Sequence, residues 1–328
     1  MFVEIDNHSI AYCLLGYLCA YFRYYYPVEF ITAFLNNAAN SDDIENGTEL
    51  ASEKGITISM PKFGYSKGEY SYNKEERVIA KGIGSIKYLS DNAATELFDL
   101  AQGNNYEYFC DLICDIRNNT GVDTRQTDIL IKLNFFQRFG NERLLLLIND
   151  LADSLKYGAA KKLSKETVSS DILLSELSDV IRANSNGKNK DGSESKSFTL
   201  NDAMQLMRSC EEYLRKNAKA PNYTVKEKMA IQEEYLGYVD LVTGNEEDRK
   251  NLYVTDVYPL ISKATGKAWG YAVFTKSIGS GKSGRWTIRS NQFSKNEFKK
   301  GAIVRANTYH KDEKSGYWYL DSYTVIER

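Results

Sequence analysis

Arg77-Val78-Ile79-Ala80-Lys81-Gly82-Ile83-Gly84-Ser85-Ile86-Lys87-Tyr88-Leu89-Ser90-Asp91-Asn92-Ala93-Ala94 opens the stretch, running on to Asn149, whose reading decides the fold. A short apolar strand tip enters a Gly-x-Gly, a lysine follows, and a helix opens with Asp and Asn in its first turn. Two further helical segments follow, joined by the turn Thr120-Gly121-Val122, and the run closes at Phe139-Gly140-Asn141. This order reads as a helix-hairpin-helix, in which backbone N–H groups at a tight turn face a phosphate and the next helix dipole reinforces the pull. It makes Lys81, Gly82, Gly84, Ser85, Lys87 and Ser90 candidate DNA-binding residues. A lone Gly-x-Gly is more often a strand-to-helix turn that binds nothing, so the neighbours carry the decision.

Outward from this stretch, 328 residues are enough for two or three domains, and 42% apolar residues with 24 Tyr are enough for real cores. The net charge of −2 excludes a uniform polycation, so any nucleic-acid footprint is local. It is placed at the C-terminal end: residues 251–328 hold 13 Lys and Arg against 6 Asp and Glu, a balance of +7, leaving −9 for the remainder. There the hydrophobic period switches to two. Leu252 to Ser262, Lys267 to Ser277, Gly284 to Ser290, Ala302 to His310 and Gly316 to Ile326 are five strand candidates, with a short helix expected at Asn296 to Lys300. Five strands with that interruption suggest an oligonucleotide-binding barrel. Its basic residues interleave with Trp269, Tyr271, Phe274, Trp286, Tyr317 and Trp318, and single strands need both stacking rings and cations. Lys276, Lys282, Arg285, Trp286 and Arg289 are therefore the candidate strand-binding residues.

On the N-terminal side, Ile10 to Phe22 is an apolar run of 13 residues ended by Arg23. A membrane-spanning helix needs about 20, so a buried helix is expected, with no signal-peptide pattern before it. Helices are expected over residues 9–39 with a break at Pro27, and over Asp42 to Lys54 with Gly55 as its stop. Residues 150–183 and Asn201 to Lys216 read as helical, residues 184–197 as a flexible loop, and Thr224 to Gly237 as a further helix. The five cysteines and two histidines form no zinc or disulfide pattern, which fits a cytoplasmic chain. Gly279-Ser280-Gly281-Lys282-Ser283 imitates a phosphate loop, but it leads into a strand instead of a helix and reads as a hairpin turn.

Several separated motifs then share one order. Asn7-His8-Ser9-Ile10-Ala11-Tyr12, the segment from Tyr21 to Phe30, Gly55-Ile56, Gly82 to Lys87, Tyr106 to Asp115, Ile129 to Lys132 and Phe139 to Arg143 resemble the end of the fingers and the helix-hairpin-helix of the bacterial DNA polymerase III alpha subunit. Glu234-Tyr235-Leu236-Gly237-Tyr238 is similar to that family's connector into its oligonucleotide-binding barrel. The resemblance implies DNA, duplex and single-stranded, as partner, with Asn7, His8 and Arg23 near an incoming nucleotide's phosphates. It departs from the family after Lys87, where Tyr88-Leu89-Ser90 replaces the hairpin's own Gly-x-Gly. The family's paired palm aspartates have no counterpart, so no catalytic residue is assigned. Its Mg²⁺ belongs only to the complete polymerase, and a separate palm-containing chain or a sliding clamp is the implied protein partner. A stand-alone phage or mobile-element DNA-binding module, or a protein-interaction scaffold, are the other two readings. The expected fold is thus multidomain: a mainly α-helical N-terminal two-thirds with a helix-hairpin-helix, then a small all-β barrel. Its boundaries are expected at 1–75 (fingers-like), 76–150 (helix-hairpin-helix), 151–250 (helical connector) and 251–328 (barrel).

Overall fold

The structure, a computed structural model, describes residues 2–328, with the side chains of residues 2–8, 41 and 91 outside the description. It divides into two compact units, residues 1–222 and 223–328.

In the first unit, α1 (Phe2–Tyr25) and α2 (Pro27–Asn36) are separated at Tyr26. Proline at the first position of α2 lacks an N–H that would have had no partner there. One face of α2 buries Val28, Ile31 and Leu35 against Ala51 of α3 (Ser41–Glu53) and against Ile56, Tyr70 and Ile79. A small sheet follows, β1 (Thr57–Ser59), β2 (Ser71–Asn73) and β3 (Val78–Ala80) in the order β1-β3-β2, with β1 and β3 parallel. Helices α4 (Asp91–Gly103), α5 (Phe109–Asn119), α6 (Thr124–Lys132) and α7 (Glu142–Ser154) come next. Ser90, Asp123 and Asn141 each turn a side-chain oxygen onto an N–H of the first turn, and Asp123 forms a reciprocal capping box with Gln126. Phe63, Phe109, Phe135, Phe136 and Phe139 pack together with ring centroids 4.9–6.0 Å apart.

Residues 155–217 hold β4 (Lys162–Ser164), α8 (Lys165–Ser170), α9 (Ile172–Glu176), α10 (Ser178–Ala183), β5 (Ser185–Lys188), β6 (Glu194–Leu200) and α11 (Ala203–Asn217). Three expectations are corrected here. Residues 150–183, read as helical, are interrupted after Ser154 by a turn and by β4 before α8 begins. Residues 184–197 are mostly a hairpin, β5 and β6 closed by Asn189 N–H donating to Ser193 O at 2.8 Å, and β4 completes a three-stranded sheet. Polar, apolar-poor sequence read as a flexible loop because alternate positions of a surface hairpin need few apolar side chains. The apolar run at Ile10–Phe22 is helical, as expected, but exposed: Ile10, Tyr12, Leu14, Leu15 and Tyr17 are 57–65% accessible.

In the second unit α12 (Val225–Leu236) begins at a Thr224/Glu227 capping box and stops at Gly237, whose φ of +86° suits glycine. The sequence assigns this helix to a connector, but it groups with the barrel: Tyr253 donates to Glu233 at 3.0 Å and Lys300 pairs with the same carboxylate at 2.7 Å. Strands β7 (Asn251–Ile261), β8 (Ala268–Ser277), β9 (Ser283–Arg289), β10 (Ile303–Lys311) and β11 (Trp318–Glu327) close into a barrel in the order β7-β8-β9-β11-β10. β9 and β11 pair in parallel, the other pairs are antiparallel, and the short helix between the third and fourth strands is α13 (Ser290–Phe293), directly after β9 and not at the expected Asn296 to Lys300. That order and that interruption are those of an oligonucleotide-binding-type barrel. Leu252, Val254, Val273, Ile288, Val304 and Leu320 fill it.

Candidate nucleic-acid interface

The barrel's second and third strands carry the densest group of rings and cations. Phe274 on β8 faces Arg285 on β9 in register. The Arg285 guanidinium lies 4.7 Å from the Tyr317 ring centroid and 5.9 Å from that of Phe274, and Tyr258 meets Phe274 edge-on at 5.9 Å. Tyr258, Phe274 and Tyr317 are 38–54% exposed, so these rings form a surface row and not core. Strand alternation turns the next residue to the opposite side. Trp286 is half-buried against the barrel core, and its indole N–H donates to Thr275 Oγ1 at 2.9 Å. Its ring lies 5.4 Å from exposed Tyr309 and 6.2 Å from exposed Trp318.

Of the cations named from sequence, Lys282, Arg285 and Arg289 are exposed. Lys276 is 3% accessible and buried at the β7–β8 pairing, so it presents no charge to a strand. Tyr271 is likewise withdrawn: it stacks on Phe293 at 4.1 Å. Tyr258 and Tyr309 escaped the sequence reading, although both sit in strand segments with tyrosine beside polar neighbours. The Gly279–Ser283 stretch is a hairpin turn, as expected. A Cβ at Gly279 would come within 2.5 Å of backbone at Asn245 and Arg249, so this glycine allows close chain packing and cradles no phosphate.

The candidate residues between β3 and α4 are placed differently from the sequence expectation. Lys81 is fully buried, its N–H donating to Ser59 O at 3.1 Å as an extension of the β1–β3 ladder. The N–H groups of Ile83 and Gly84 donate to Lys67 O at 2.8 Å and Gly68 O at 2.9 Å, and a Cβ on Gly82 would sit 2.2 Å from Gly68 O. The two glycines thus serve a chain crossing, and the Ile83 and Gly84 N–H groups are already used by backbone carbonyls. Ser85 Oγ donates to Gly82 O at 2.7 Å, and Ser90 caps α4. Lys87 is exposed. Beyond it Tyr88 holds a left-handed φ of +71°, the conformation that glycine adopts most easily. The Arg125 guanidinium lies 4.0 Å over the Tyr88 ring, and Gln126 donates to Tyr88 O at 2.8 Å, which together hold the turn. In the second turn, Gly121 N–H donates to the Glu96 carboxylate at 2.7 Å.

Asn7 and His8 lie in α1 with their side chains outside the description, and Arg23 is exposed near the end of that helix. Among the described residues no group of three or more His, Cys, Asp or Glu is placed to hold a metal ion, so no step is derived through one. Cys110, Cys114 and Cys210 are buried, and burial raises each thiol, that of Cys114 to about 12, which makes poor nucleophiles. No described helix is long and apolar enough to cross a membrane.

Fold and surface together define a protein with two units, one larger and mainly helical and one a basic, ring-bearing oligonucleotide-binding-type barrel. No protein-family model matches the chain. Curated relatives do: it is 31% identical over 158 residues to DNA polymerase III subunit alpha of Treponema pallidum, covering 48% of this chain and 13% of that protein. It is 28% identical over 144 residues to the same subunit of Ureaplasma parvum, covering 44% and 15%. Against the subunit of Escherichia coli (strain K12) it is 28% identical over 155 residues, covering 46% and 13%. About half of this chain is therefore similar to the alpha subunit of bacterial DNA polymerase III, and the match spans only 13–15% of the length of these relatives.

Proposed function

We propose that this chain is the DNA-holding portion of a DNA polymerase III alpha-like replicative polymerase. The barrel guides the single-stranded template, and the hairpin region steadies duplex. The observation that carries this reading is the exposed row Tyr258, Phe274, Arg285 and Tyr317 on a basic barrel, in a chain half similar to a polymerase subunit. Bases stack on exposed rings, and Arg285, Lys282 and Arg289 neutralise phosphates alongside. Lys87 and Arg125 flank the Tyr88 turn and are the cations available to duplex in a helix-hairpin-helix role. Nucleotidyl transfer, with its Mg²⁺, is assigned to a palm outside these 328 residues, and Arg23 would face the incoming nucleotide's phosphates.

Fluorescence-anisotropy titration of the full chain against single-stranded, duplex and primed-template DNA at two salt concentrations tests the reading. Joint replacement of Lys282, Arg285 and Trp286 by alanine should remove single-strand affinity selectively. Because Trp286 also packs in the barrel, Tyr317→Ala serves as the folded control, and it should weaken single-strand binding by about 1–3 kcal/mol. Unchanged affinity in both variants would overturn the assignment. A DNA-binding module unrelated to synthesis would bind equally well and show no preference for primed template.

A further inference from the structure

A cavity of about 620 Å³ opens in the barrel unit between β7 and the segment that joins α13 to β10. Its floor is apolar, lined by Val257, Phe293 and Phe298. The two phenylalanines belong to a run of contacting rings, Tyr271, Phe293, Phe298 and Tyr323, with successive centroids 4.1–5.2 Å apart. The rim carries both signs, with the carboxylates of Asp256 and Glu297 and the cations of Lys299, Lys300 and Arg328. Two of these cations are held in place: Lys300 pairs with Glu233 at 2.7 Å, and Arg328 donates to Asn296 Oδ1 at 3.2 Å. An apolar pocket of this size with a few converging polar groups has the form of a small-molecule site.

Asp256 ties the cavity to the exposed ring row. It is the register partner of Phe274, and Tyr258, two positions on, shares its side of β7. A base leaving the stack at Tyr258 is therefore beside the cavity. Stacking on the row accepts every base, because every base has a π-face. The rim discriminates. An ionised carboxylate only accepts hydrogen bonds, and guanine is the base whose Watson–Crick edge offers two adjacent donors, N1–H and the amino group. Adenine and cytosine place one donor beside an acceptor that a carboxylate repels, and thymine flanks its one donor with two carbonyls. The same negative charge turns a phosphate away from Asp256 and Glu297 and toward Lys299 and Arg328, which fixes the orientation of a bound nucleotide. We infer that this cavity binds one guanine nucleotide, its ring over the floor of Val257 and Phe298, its N1–H and amino group donating to Asp256, and its phosphate beside Lys299. Unstacked bases are read in this way, through the Watson–Crick edge and against an apolar wall. A base within a bound strand and a free nucleotide share that chemistry; for the strand the inference deepens the proposed function and rests on it.

The test uses the full chain and fluorescently labelled oligothymidine, either unbroken or with a single guanine, adenine or cytosine at its centre. One guanine should tighten binding by about tenfold over the all-thymine strand, the size of one bidentate base contact, and the other two bases should do much less. Asp256→Asn keeps the shape of the side chain but turns an amide donor toward the guanine donors. It should erase the guanine advantage without weakening all-thymine binding, which shows that the variant is folded. Equilibrium dialysis against guanosine monophosphate separates the two sources. Saturable uptake that Asp256→Asn removes, with no guanine preference in strands, assigns the cavity to the free nucleotide. A guanine preference that survives Asp256→Asn overturns the inference, because the base is then read elsewhere. Strands bound without preference and no uptake of the monophosphate overturn it too, and leave the proposed function standing. Uptake that depends on Asp256 in a chain that binds no single strand would instead sink the proposed function and spare the cavity.

Discussion

Tyr88 is a bulky residue in a backbone conformation that glycine adopts most easily. Its φ of +71° strains an L side chain by roughly 1 kcal/mol, and the Arg125 contact offsets part of that strain. Tyr88→Ala and Tyr88→Gly both remove the ring, but only alanine keeps the strain. The glycine variant should be the more stable of the two by up to about 1 kcal/mol in urea unfolding. Equal stabilities would mean that the turn relaxes to negative φ once the ring has gone. Asp150 gives a pH-dependent case. Partial burial, and then the charges of Asp128, Asp153 and Asp171, raise its carboxyl above the ordinary aspartate range. A folded-state value above the unfolded one means the native chain holds the proton more tightly, so this group favours folding at low pH and that contribution fades as pH rises through the folded value. Asp150→Asn should therefore raise Tm at pH 7, by roughly 1–2 °C, and the two proteins should converge near pH 4. A constant difference across that range would remove the electrostatic explanation.

At the scale of elements, α5 and α11 are joined by one buried carboxylate. Glu211, fully buried on α11, accepts from the N–H groups of Phe109 and Cys110 at 3.0 and 2.8 Å and from Arg215 at 2.6 Å. It caps a helix a hundred residues away in sequence, so neither helix could reveal it alone. Glu211→Ala leaves two donors and a guanidinium without that acceptor, and loss of roughly 3–5 kcal/mol of unfolding free energy is expected. A loss below 1 kcal/mol would show that water replaces the cap. The Gly121 turn is occupied in the same way from within, by Glu96. A phosphate approaching that N–H must displace a carboxylate of like charge, so Glu96→Ala should strengthen duplex binding and leave single-strand binding alone. Duplex affinity that falls or stays the same would exclude this turn as a phosphate contact.

Over the whole molecule, the opposite charges of the two sequence segments (−9 and +7) explain how a chain of net charge −2 can have a cationic barrel. Single-strand affinity should fall steeply with salt, and removing one phosphate-contacting cation such as Arg285 should lower the logarithmic slope by about 0.7. An unchanged slope would place Arg285 outside the strand path. The barrel was legible because period-two alternation, turn residues at regular intervals and local basic charge are properties of neighbouring residues. So were the helix stops at Pro27 and Gly237. The hairpin's ligands were misassigned because accessibility depends on what crosses in front of a residue. The strand exit at Lys81 is covered, and the Ile83 and Gly84 donors are used by residues 67–68, fifteen or more positions away. The same physics hid the exposure of α1, since apolar composition states that a surface must be covered but cannot name the cover.

The chain by itself determined its periodicities, its caps and the strand content of its barrel, because each rests on contacts within a few residues. Tertiary structure alone decided which lysines reach solvent, which glycine N–H groups are already used, and which rings line up beside Arg285. Each of those outcomes depends on segments far apart in sequence meeting in space, where burial of a charge or an unpaired donor is too unfavourable to be left to local preference.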